Sequence, residues 1–368
     1  MTVDDAWLRL ALLPGLGPVT AARLIDEAGG DPREVFTWRM DRLQHIDGIG
    51  PERARKICDP RGDEAVAHER AACHAAGVQI ITRADPAYPQ ALLRLTDPPL
   101  CVWLTGDLLP RDALAVAVVG PRRPSSYGHR VATRMSQGLA RIGATVISGL
   151  ARGVDTAAHE AALAGKTRTI AVIGSGHGKC YPEENRPLAE RIAAGNGCVL
   201  SEFPFDTPPS PGTFPRRNRL VAALSLAVLV CEAGARSGAL ITARLAGELG
   251  REVLVVPGAI DNPESAGANQ LIRDGATLVT SIDQVIDAIE PLATLASGVP
   301  AAPAESPRAA SLSGRERQLY VLLDDSPRTV DDLVRSTSLP ASQVSTTLLS
   351  LELRRLAKKT PAGFVRAG

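Results

Sequence analysis

Cations and glycines follow one apolar run after another in the middle of this 368-residue chain. Arginine and lysine side chains, together with backbone amides at glycine turns, are groups that bind phosphate oxygens. The residues that supply such groups just after the apolar runs are Arg122, Arg123, Gly149, Arg152, Gly153, Lys179, Arg216, Arg217, Arg219, Ser237 and Gly238. Their types and positions predict a binding site for an anion.

The elements around these residues predict that the residues meet in space. Between residues 78 and 290, apolar runs rich in β-branched residues alternate with Ala- and Leu-rich stretches of helical length. This alternation predicts a parallel sheet with helices on both faces, and ligands of such sheets bind beyond the carboxyl ends of the strands. The predicted strands begin near residues 78, 115, 144, 169, 198, 226 and 252.

Several basic turns on one sheet edge favour an extended polyanion over a mononucleotide, because a mononucleotide needs fewer cations. Each turn alone has a simpler explanation, since glycine turns are often only tight connections and loop arginines are often solvated. One of Arg216, Arg217 and Arg219 also fits a helix cap or an ion pair, because the three flank the start of an apolar helix. Both interpretations of these arginines stay open.

Carboxylates and histidines in the same region give little support to catalysis. Asp155 and His159 lie one helical turn apart, but Asp155 stands at a helix start, where its charge favours the helix dipole. Glu202 and Glu232 directly follow strands, and beside an anion site we expect them to orient arginines or backbone amides. The sequence contains no GxSxG, HExxH or GxxxxGK[ST] motif, and we therefore predict no catalytic residue, metal site or cofactor.

Composition describes a globular chain with no strong overall charge. Apolar residues make up 45% of the chain and the formal net charge is +1, so nucleic-acid binding must come from local clusters of cations. Six cysteines without a CxxC pair indicate reduced thiols, and neither an export signal nor a membrane span is apparent. We therefore expect a cytoplasmic protein without membrane association.

Aromatic residues make up only 3% of the chain, which is too few for a long base-stacking platform. Several of them nevertheless fall in the basic loops, namely Tyr127, Tyr181, Phe203, Phe205 and Phe214. They are sufficient to stack a few bases.

Two smaller domains flank the predicted sheet. The N-terminal part predicts short helices with two Gly-apolar-Gly-Pro turns, which are the signature of helix-hairpin-helix motifs. Such turns either direct backbone amides towards a phosphate of DNA or only pack helices together, and both roles stay open. The C-terminal part predicts three helices and a closing strand, as in a winged helix, for which DNA and protein partners both stay open. The predicted segments are a helical domain at 1–75, a sheet domain at 76–290, a flexible linker at 291–312 and a winged helix at 313–368.

The order and spacing of many segments resemble the DNA-processing protein A family, also called Smf. These segments lie within about 115–280 and include VAVVGPRRPSSYG, VISGLARGVDTAAHEAAL, TIAVIGSG, YPEEN, LSEFPF, FPRRNRLVAALS, SGALITARLAGELGREVLVVPG and GANQLIRDGA. The resemblance is specific because many unrelated segments agree in order and spacing.

The resemblance implies an extended Rossmann-like domain that binds single-stranded DNA without sequence preference and forms homodimers. It also implies a recombination mediator, and not an enzyme, that helps to load a RecA-type recombinase onto incoming strands in natural transformation. By motif it assigns DNA binding to Arg122, which would contact a phosphate, and to the turns that hold Gly149, Arg152, Gly153, Arg217, Asn218 and Arg219.

Two residues depart from the family pattern. Pro121 replaces a serine, which removes a hydroxyl and a backbone donor at the expected phosphate site. Gly178 stands where aspartate is common, which predicts a looser turn in which Lys179 supplies charge instead. Both changes are expected to weaken affinity for DNA without abolishing it.

Leu271 and Ile272, in the segment NQLIRDGATLV, are candidates for the dimer surface, although the same run also fits ordinary core. Two other functions remain as alternatives. One is a transcription regulator whose winged helix binds duplex DNA while the Rossmann-like domain senses a nucleotide. The other is a Rossmann-type nucleotide hydrolase, although the PGGxGT loop of such enzymes is absent from the sequence.

Overall fold

The computed structural model describes residues 1–195, 197–297, 314–324, 327–337, 339–354, 356–360 and 363–366. The chain divides into two compact units, Met1–Gly298 and Val299–Gly368. The predicted helical and sheet domains both fall within the first unit, and their boundary stays a prediction. Of the predicted linker, residues 291–297 belong to a helix whose Leu292 is buried, and residues 298–312 lie outside the described residues.

The first unit opens with short helices. They are α1 (Val3–Leu12), α2 (Pro18–Glu27), α3 (Pro32–Val35), α4 (Met40–Gln44), α5 (Pro51–Cys58) and α6 (Arg61–Ala75). A glycine caps α2 and another caps α5, and proline follows each cap at a position where the helix needs no amide donor. The turns before them hold Gly15 at φ +81° and Gly48 at φ +87°, a region that favours glycine. The repeated Gly-apolar-Gly-Pro pattern therefore starts both helices.

A single sheet forms the centre of the first unit. Its strands are β1 (Gln79–Thr82), β2 (Cys101–Gly106), β3 (Ala115–Val119), β4 (Thr145–Ser148), β5 (Thr169–Val172), β6 (Gly197–Ser201), β7 (Ala227–Val230), β8 (Glu252–Val255) and β9 (Thr277–Leu278). Within the described residues the strand order is β1-β2-β6-β5-β4-β3-β7-β8-β9. From β6 to β9 all neighbouring strands are parallel.

The expectation of a wholly parallel sheet was wrong at one edge. β1 and β2 pair antiparallel with each other, and β2 pairs antiparallel with β6. We did not predict β2 or β9 as strands. β2 has only a short apolar run, and β9 has two exposed residues that join the sheet through backbone pairing with β8. Backbone pairing leaves no side-chain pattern by which a sequence reveals a strand.

Helices cover both faces of the sheet. They are α7 (Ser126–Arg141), α8 (Val154–Ala164), α9 (Arg186–Ala194), α10 (Thr213–Ala223), α11 (Ala239–Glu248), α12 (Ala266–Arg273), α13 (Ile282–Asp287) and α14 (Glu290–Ser297). Along β3, Ala115, Ala117 and Val119 pack towards α10, α11 and α12, while Val116 and Val118 pack towards α7, α8, α13 and α14. Alternate residues of a strand face opposite sides, so both faces are buried and the strands are apolar throughout.

The strand order reverses direction at β3. The chain proceeds from β3 through β4, β5 and β6 on one side, and through β7, β8 and β9 on the other. The loops that leave β3 and β7 therefore diverge, and a crevice opens beyond their carboxyl ends. This is where the fold positions a ligand site.

The N-terminal helices pack against the β1–β2 edge of the sheet. Their apolar residues, including Trp7, Leu24 and Leu43, form one buried cluster with Cys101 and Trp103 of β2. β2 is thus covered by helices from the start of the chain.

The second unit is a winged helix with its own core. It contains α15 (Gly314–Leu322), α16 (Val330–Thr337), α17 (Ala341–Leu353), β10 (Ala357–Thr360) and β11 (Gly363–Arg366), and the two strands pair antiparallel. Leu319, Leu333 and Leu348 are fully buried where the three helices meet. The fold class is therefore the predicted one, a Rossmann-like α/β domain with a helical N-terminal part and a winged helix.

Among the described residues, no helix combines the length and apolar character that crossing a lipid bilayer requires.

A buried ion pair lies beside the start of β5. Arg168 donates from Nε to Asp112 Oδ1 (2.7 Å) and from Nη2 to Asp112 Oδ2 (2.8 Å), and both side chains are 6% exposed. Asp112 also accepts from Thr145 Oγ1 at 2.9 Å and from the Leu109 amide at 2.8 Å. The pair therefore joins three separate chain segments.

Replacing Asp112 with alanine leaves the Arg168 guanidinium buried without its carboxylate. We expect the free energy of unfolding, measured by urea denaturation, to fall by about 3–5 kcal/mol. The control, Glu160→Ala, removes the exposed pair with Arg191 and should change that free energy by about 1 kcal/mol or less. If the free energy of unfolding fell equally in the two variants, the buried pair would not stabilise the fold more than the exposed pair does.

Candidate nucleic-acid interface

A cavity of ≈ 850 Å³ lies at the point where the strand order reverses. The loops after β3, β4 and β7 form its walls, together with α10 and the loop after β8. The predicted DNA contacts that line it are Arg122, Gly149, Arg217, Asn218, Ser237 and Gly238. The structure thus brings together residues that follow β3, β4, β6 and β7, as predicted, whereas the turn after β5 with Lys179 is not among the residues that line the cavity.

Glu232 shapes the loop that carries Arg122 and Arg123. Its Oε2 accepts from the Ser125 amide at 2.8 Å, and its Oε1 accepts from the Ser125 hydroxyl. The Ser125 hydroxyl in turn accepts from the Gly128 amide at 3.0 Å and caps α7. The expectation that Glu232 orients backbone amides is confirmed, and both arginines remain exposed beyond this anchor.

Asp155 shapes the turn after β4 in a similar way. Its Oδ2 accepts from the amides of Gly149 (3.1 Å) and Ala151 (3.2 Å). Burial raises the pKa of Asp155, against the opposing effect of the nearby Arg217 charge. Gly153 begins α8 at φ +79°, with its α-carbon so close to the Pro121 carbonyl that a side chain would collide with it.

His159 makes its hydrogen bond away from Asp155. Its Nδ1 bonds to Thr169 Oγ1 at 2.7 Å, and burial lowers the pKa of His159 to about 3, which keeps the ring neutral. Asp155 therefore has the helix-start role that the sequence favoured over a catalytic pair.

Two arginines and two aromatic rings form a row beside the cavity, which we call the arginine–aromatic row. The Arg122 guanidinium lies 4.9 Å from the centre of the Phe214 ring, which lies 5.7 Å from the Tyr181 ring. Arg152 lies 5.7 Å from Tyr181, and its Nη2 donates to Glu184 Oε2 at 2.7 Å. The row offers π-faces and cations side by side, which is the combination that binds single-stranded nucleic acid.

The PRRNR segment has a buried part and an exposed part. Arg217 is 5% exposed; its Nη1 donates to the carbonyl oxygens of Gly149 and Val172, and its Nε donates to Asn218 Oδ1 at 3.1 Å. Burial lowers the pKa of Arg217 to about 10, so the side chain stays cationic near neutral pH. Arg217 therefore supplies charge from the wall of the cavity and holds the turn after β4 in place.

Glu202 binds the other two arginines of this segment. Its Oε2 accepts from Arg216 Nε at 3.1 Å and from Arg219 Nη2. Burial raises the pKa of Glu202, against the opposing effects of Arg219 and Arg216. The prediction that Glu202 orients arginines is confirmed, and the ion-pair interpretation applies to both arginines. Arg219 is buried, whereas Arg216 is exposed and lies over the Phe203 ring.

The glycine turn before Lys179 is held tightly, in contrast to our expectation. The Gly178 amide donates to the Phe205 carbonyl at 2.9 Å, and the Gly176 amide donates to the Thr207 carbonyl at 2.9 Å. A side chain on Gly178 would meet the Phe205 ring, so this glycine allows close packing of two loops. Lys179 itself is exposed.

Sequence reasoning missed Arg236. It is exposed and lines the cavity directly before Ser237, whose Oγ accepts from the Ala239 amide at 3.3 Å at the start of α11. The signal was available, because Arg236 follows a strand as Arg122 does. Ser237 and Gly238, which come next, are the stronger local sign of a helix start. The prediction therefore included these two residues and left out Arg236.

Leu271 and Ile272 lie away from this cavity. Both are half-buried on α12 against the core, and Leu271 lines a second cavity of ≈ 640 Å³ beside β8 and β9. Within the described part of the chain, no group of three or more His, Cys, Asp and Glu side chains is arranged to hold a metal ion.

Gly149 offers a direct test of this packing. A side chain there would collide with the Arg217 guanidinium, and we expect Gly149→Ala to lower the free energy of unfolding by about 1–3 kcal/mol, measured by urea denaturation. The control, Gly247→Ala on α11, meets no atom within 4 Å and should leave stability unchanged or raise it by up to about 1 kcal/mol. If Gly149→Ala left the free energy of unfolding unchanged, the close contact between Gly149 and Arg217 would be contradicted.

Known proteins match this chain over most of its length. Residues 79–290 match the family described as DNA recombination-mediator protein A, and residues 301–363 match the DprA winged helix domain. Protein Smf of Escherichia coli is 39% identical over 279 residues, which are 76% of this chain and 75% of that protein. Protein Smf of Synechocystis is 32% identical and the match covers 96% of both.

Solved structures agree with the fold. DNA processing protein A of Streptococcus pneumoniae superposes with a TM-score of 0.67 at 32% identity, over 78% of this chain and 99% of that one. The Helicobacter pylori protein, whose structure concerns its single-stranded DNA binding mode, has a TM-score of 0.53 at 33% identity, over 61% of this chain and 97% of that one. With its Rossmann-like domain, winged helix and strand-end cations, the chain belongs to the DNA recombination-mediator protein A family.

Proposed function

We propose that this protein binds single-stranded DNA without sequence preference and acts as a mediator that loads a RecA-type recombinase onto it during DNA processing and natural transformation. One observation carries the proposal. The exposed Arg122 and Arg236 line the cavity together with Phe214, whose ring lies 5.7 Å from the Tyr181 ring, and the exposed Lys179 follows β5 at the same edge of the sheet. Among the described residues, no carboxylate pairs with these three cations.

The arginine–aromatic row favours a single strand over a duplex. Tyr181 and Phe214 have partly exposed rings that lie next to arginines. In a duplex the base faces are stacked inside, whereas a single strand presents them to aromatic side chains. Base stacking tolerates every sequence, because every base has a π-face.

The relatives support the same function. The Helicobacter pylori protein, at 33% identity, has a described mode of single-stranded DNA binding. The free state of all six cysteines fits the cytoplasmic location that we propose.

We assign the protein a binding role and not a catalytic one. Asp155, Glu202 and Glu232, three carboxylates that follow the strands, are engaged with amides or arginines. Glu264 also lines the cavity and is exposed. The duplex-binding regulator has less support, because the exposed described residues of α17 are uncharged: Ala341, Ser342, Gln343, Ser345, Thr346 and Leu349.

Arg122→Ala and Arg236→Ala test the site. Each is expected to weaken binding to fluorescent oligo-dT and to lower the slope of log affinity against log salt by about 0.7 for each phosphate that the variant no longer binds. The measurement is anisotropy across a salt series, with a matched duplex in parallel. These positions are preferable to Arg217 and Arg219, whose burial would mix binding with folding.

Arg191→Ala is the control for these variants, because Arg191 is exposed, pairs with Glu160 and does not line the cavity. It should bind like the wild type. A wild type that prefers duplex, or cavity variants that match Arg191→Ala, would contradict the proposal.

The mediator role is tested on single strands that are coated with a single-strand-binding protein. Only proteins with an intact cavity should accelerate the formation of recombinase filaments on these strands, and the rate of ATP hydrolysis by the recombinase measures that formation.

We infer further that the protein is a homodimer joined through the surface that includes Leu271 and Ile272. Leu271 lines the ≈ 640 Å³ cavity with Leu240 and Ile241, and the edge strand β9 beside it exposes 47% of Leu278. An open sheet edge beside apolar surface is a place that a second copy can cover.

Leu278→Lys should convert the dimer to a monomer in light scattering without unfolding the chain, because the side chain is exposed on the single chain. Leu93→Lys is the control, since Leu93 is 41% exposed and lies outside this surface. A monomeric wild type, or a dimer that survives Leu278→Lys, would contradict the assignment.

A further inference from the structure

A buried carboxylate in the N-terminal helices contacts the loop after β6, which in turn packs against the glycine turn before Lys179. Glu69 lies on α6, on the same face as Val66 and Cys73, and is 8% exposed. Spacings of three and four residues place these side chains on one helix face. A carboxylate on an otherwise apolar face needs hydrogen-bond donors, because burying an unpaired charge is unfavourable.

Glu69 finds those donors in two other parts of the chain. Its Oε1 accepts from Trp103 Nε1 on β2 at 2.7 Å and from the Phe205 amide, in the loop after β6, also at 2.7 Å. One oxygen atom thus joins α6, β2 and the loop that leads into α10. Hydrogen bonds to a charged group are among the stronger ones in proteins.

The loop at residues 203–207, which Glu69 contacts through Phe205, is hydrogen-bonded to the glycine turn at residues 174–179. The Phe205 carbonyl accepts from the Gly178 amide, and the Thr207 carbonyl two residues later accepts from the Gly176 amide. A side chain on Gly176 would collide with the carbonyls of Pro204 and Phe205, so the two loops lie in direct contact. The position of Lys179, which follows this turn, depends on the Phe205 loop.

Trp103 supports the turn from its other side. His177 Nε2 donates to the Trp103 carbonyl at 3.0 Å. Burial lowers the pKa of His177 to about 4, so the ring is neutral near pH 7. Trp103 therefore contacts Glu69 through its indole and the glycine turn through its backbone.

We propose that Glu69 is a positioning residue through which the N-terminal helices hold the 203–207 loop and the 174–179 turn in the conformation that binds single-stranded DNA. The proposal rests on the proposed function for its consequence in binding. Its structural part stands on the contacts alone. It gives the N-terminal helices a part in DNA binding that requires no contact between those helices and DNA.

The two donors bind the same oxygen of Glu69, which allows a sharp test. Glu69→Gln keeps that acceptor oxygen, whereas Glu69→Ala removes it. Glu64→Ala, at an exposed acidic position on the same helix, is the matched control. All three are prepared as the full chain, and the active fraction of each is measured by stoichiometric titration, so that a smaller folded fraction is counted separately from a weaker affinity.

Hydrogen exchange measures the structural part without DNA. In Glu69→Ala the amides of segments 174–179 and 203–207 should exchange at least about tenfold faster than in the wild type, since a hydrogen bond to a charged group contributes enough for such a change. Glu69→Gln should restore part of the protection, because its neutral amide oxygen still accepts from Trp103 and Phe205 but more weakly than a carboxylate, and Glu64→Ala should match the wild type. Unchanged exchange in Glu69→Ala, or equally fast exchange in Glu69→Gln, would overturn the proposal.

Oligo-dT binding measures the functional part. Glu69→Ala should bind about tenfold more weakly per active molecule, with a salt slope lower by about 0.7 for each phosphate that the displaced turn no longer binds. Glu69→Gln should recover part of both the affinity and the slope. If the wild type itself fails to bind, the proposed function fails, while hydrogen exchange still decides whether Glu69 holds the loops. Wild-type affinity and slope in Glu69→Ala would overturn the role in binding.

Discussion

Cations gathered on one edge of a sheet repel one another, and this fold holds them there with buried carboxylates. Glu202 binds two arginines of the PRRNR segment, while Glu232 and Asp155 bind backbone amides in the turns after β3 and β4. Burial raises the pKa of Glu202 and Asp155, and the nearby arginine charges oppose that effect at both carboxylates. Glu202 pairs with the exposed Arg216 and the buried Arg219, whereas Arg122, Lys179 and Arg236 have no carboxylate partner among the described residues.

The site therefore has two layers. The buried Arg217 binds the turn after β4, and the buried Arg219 joins α10 to Glu202 after β6. The exposed Arg122, Lys179 and Arg236 face solvent. A net charge of only +1 for the whole chain means that attraction to a polyanion comes from this local arrangement. The cavity lies where the strand order reverses, because the loops that leave β3 and β7 diverge there.

The first unit connects this site to the N-terminal helices. Trp103 on β2 is buried among them, and Glu69 joins α6 to Trp103 and to the loop before α10. The antiparallel β1–β2 edge is what makes the connection possible, since it carries the sheet beyond β6 to the helices. The N-terminal helices contain none of the exposed cations that line the cavity, yet through Glu69 they contact a loop that leads into the site.

Local patterns in the chain were enough to predict the parallel strands from β3 to β8, the two glycine–proline helix starts and the gathering of cations on one edge. These features depend on neighbours in sequence, because side-chain periodicity and turn chemistry are local. The chain alone did not reveal that Arg217 and Arg219 are buried, that Arg236 lines the cavity, or that β2 runs antiparallel. Those outcomes follow from contacts with partners far along the chain, such as Gly149 and Val172 for Arg217. Burial and pairing are properties of such long-range contacts, and folding alone brings the partners together.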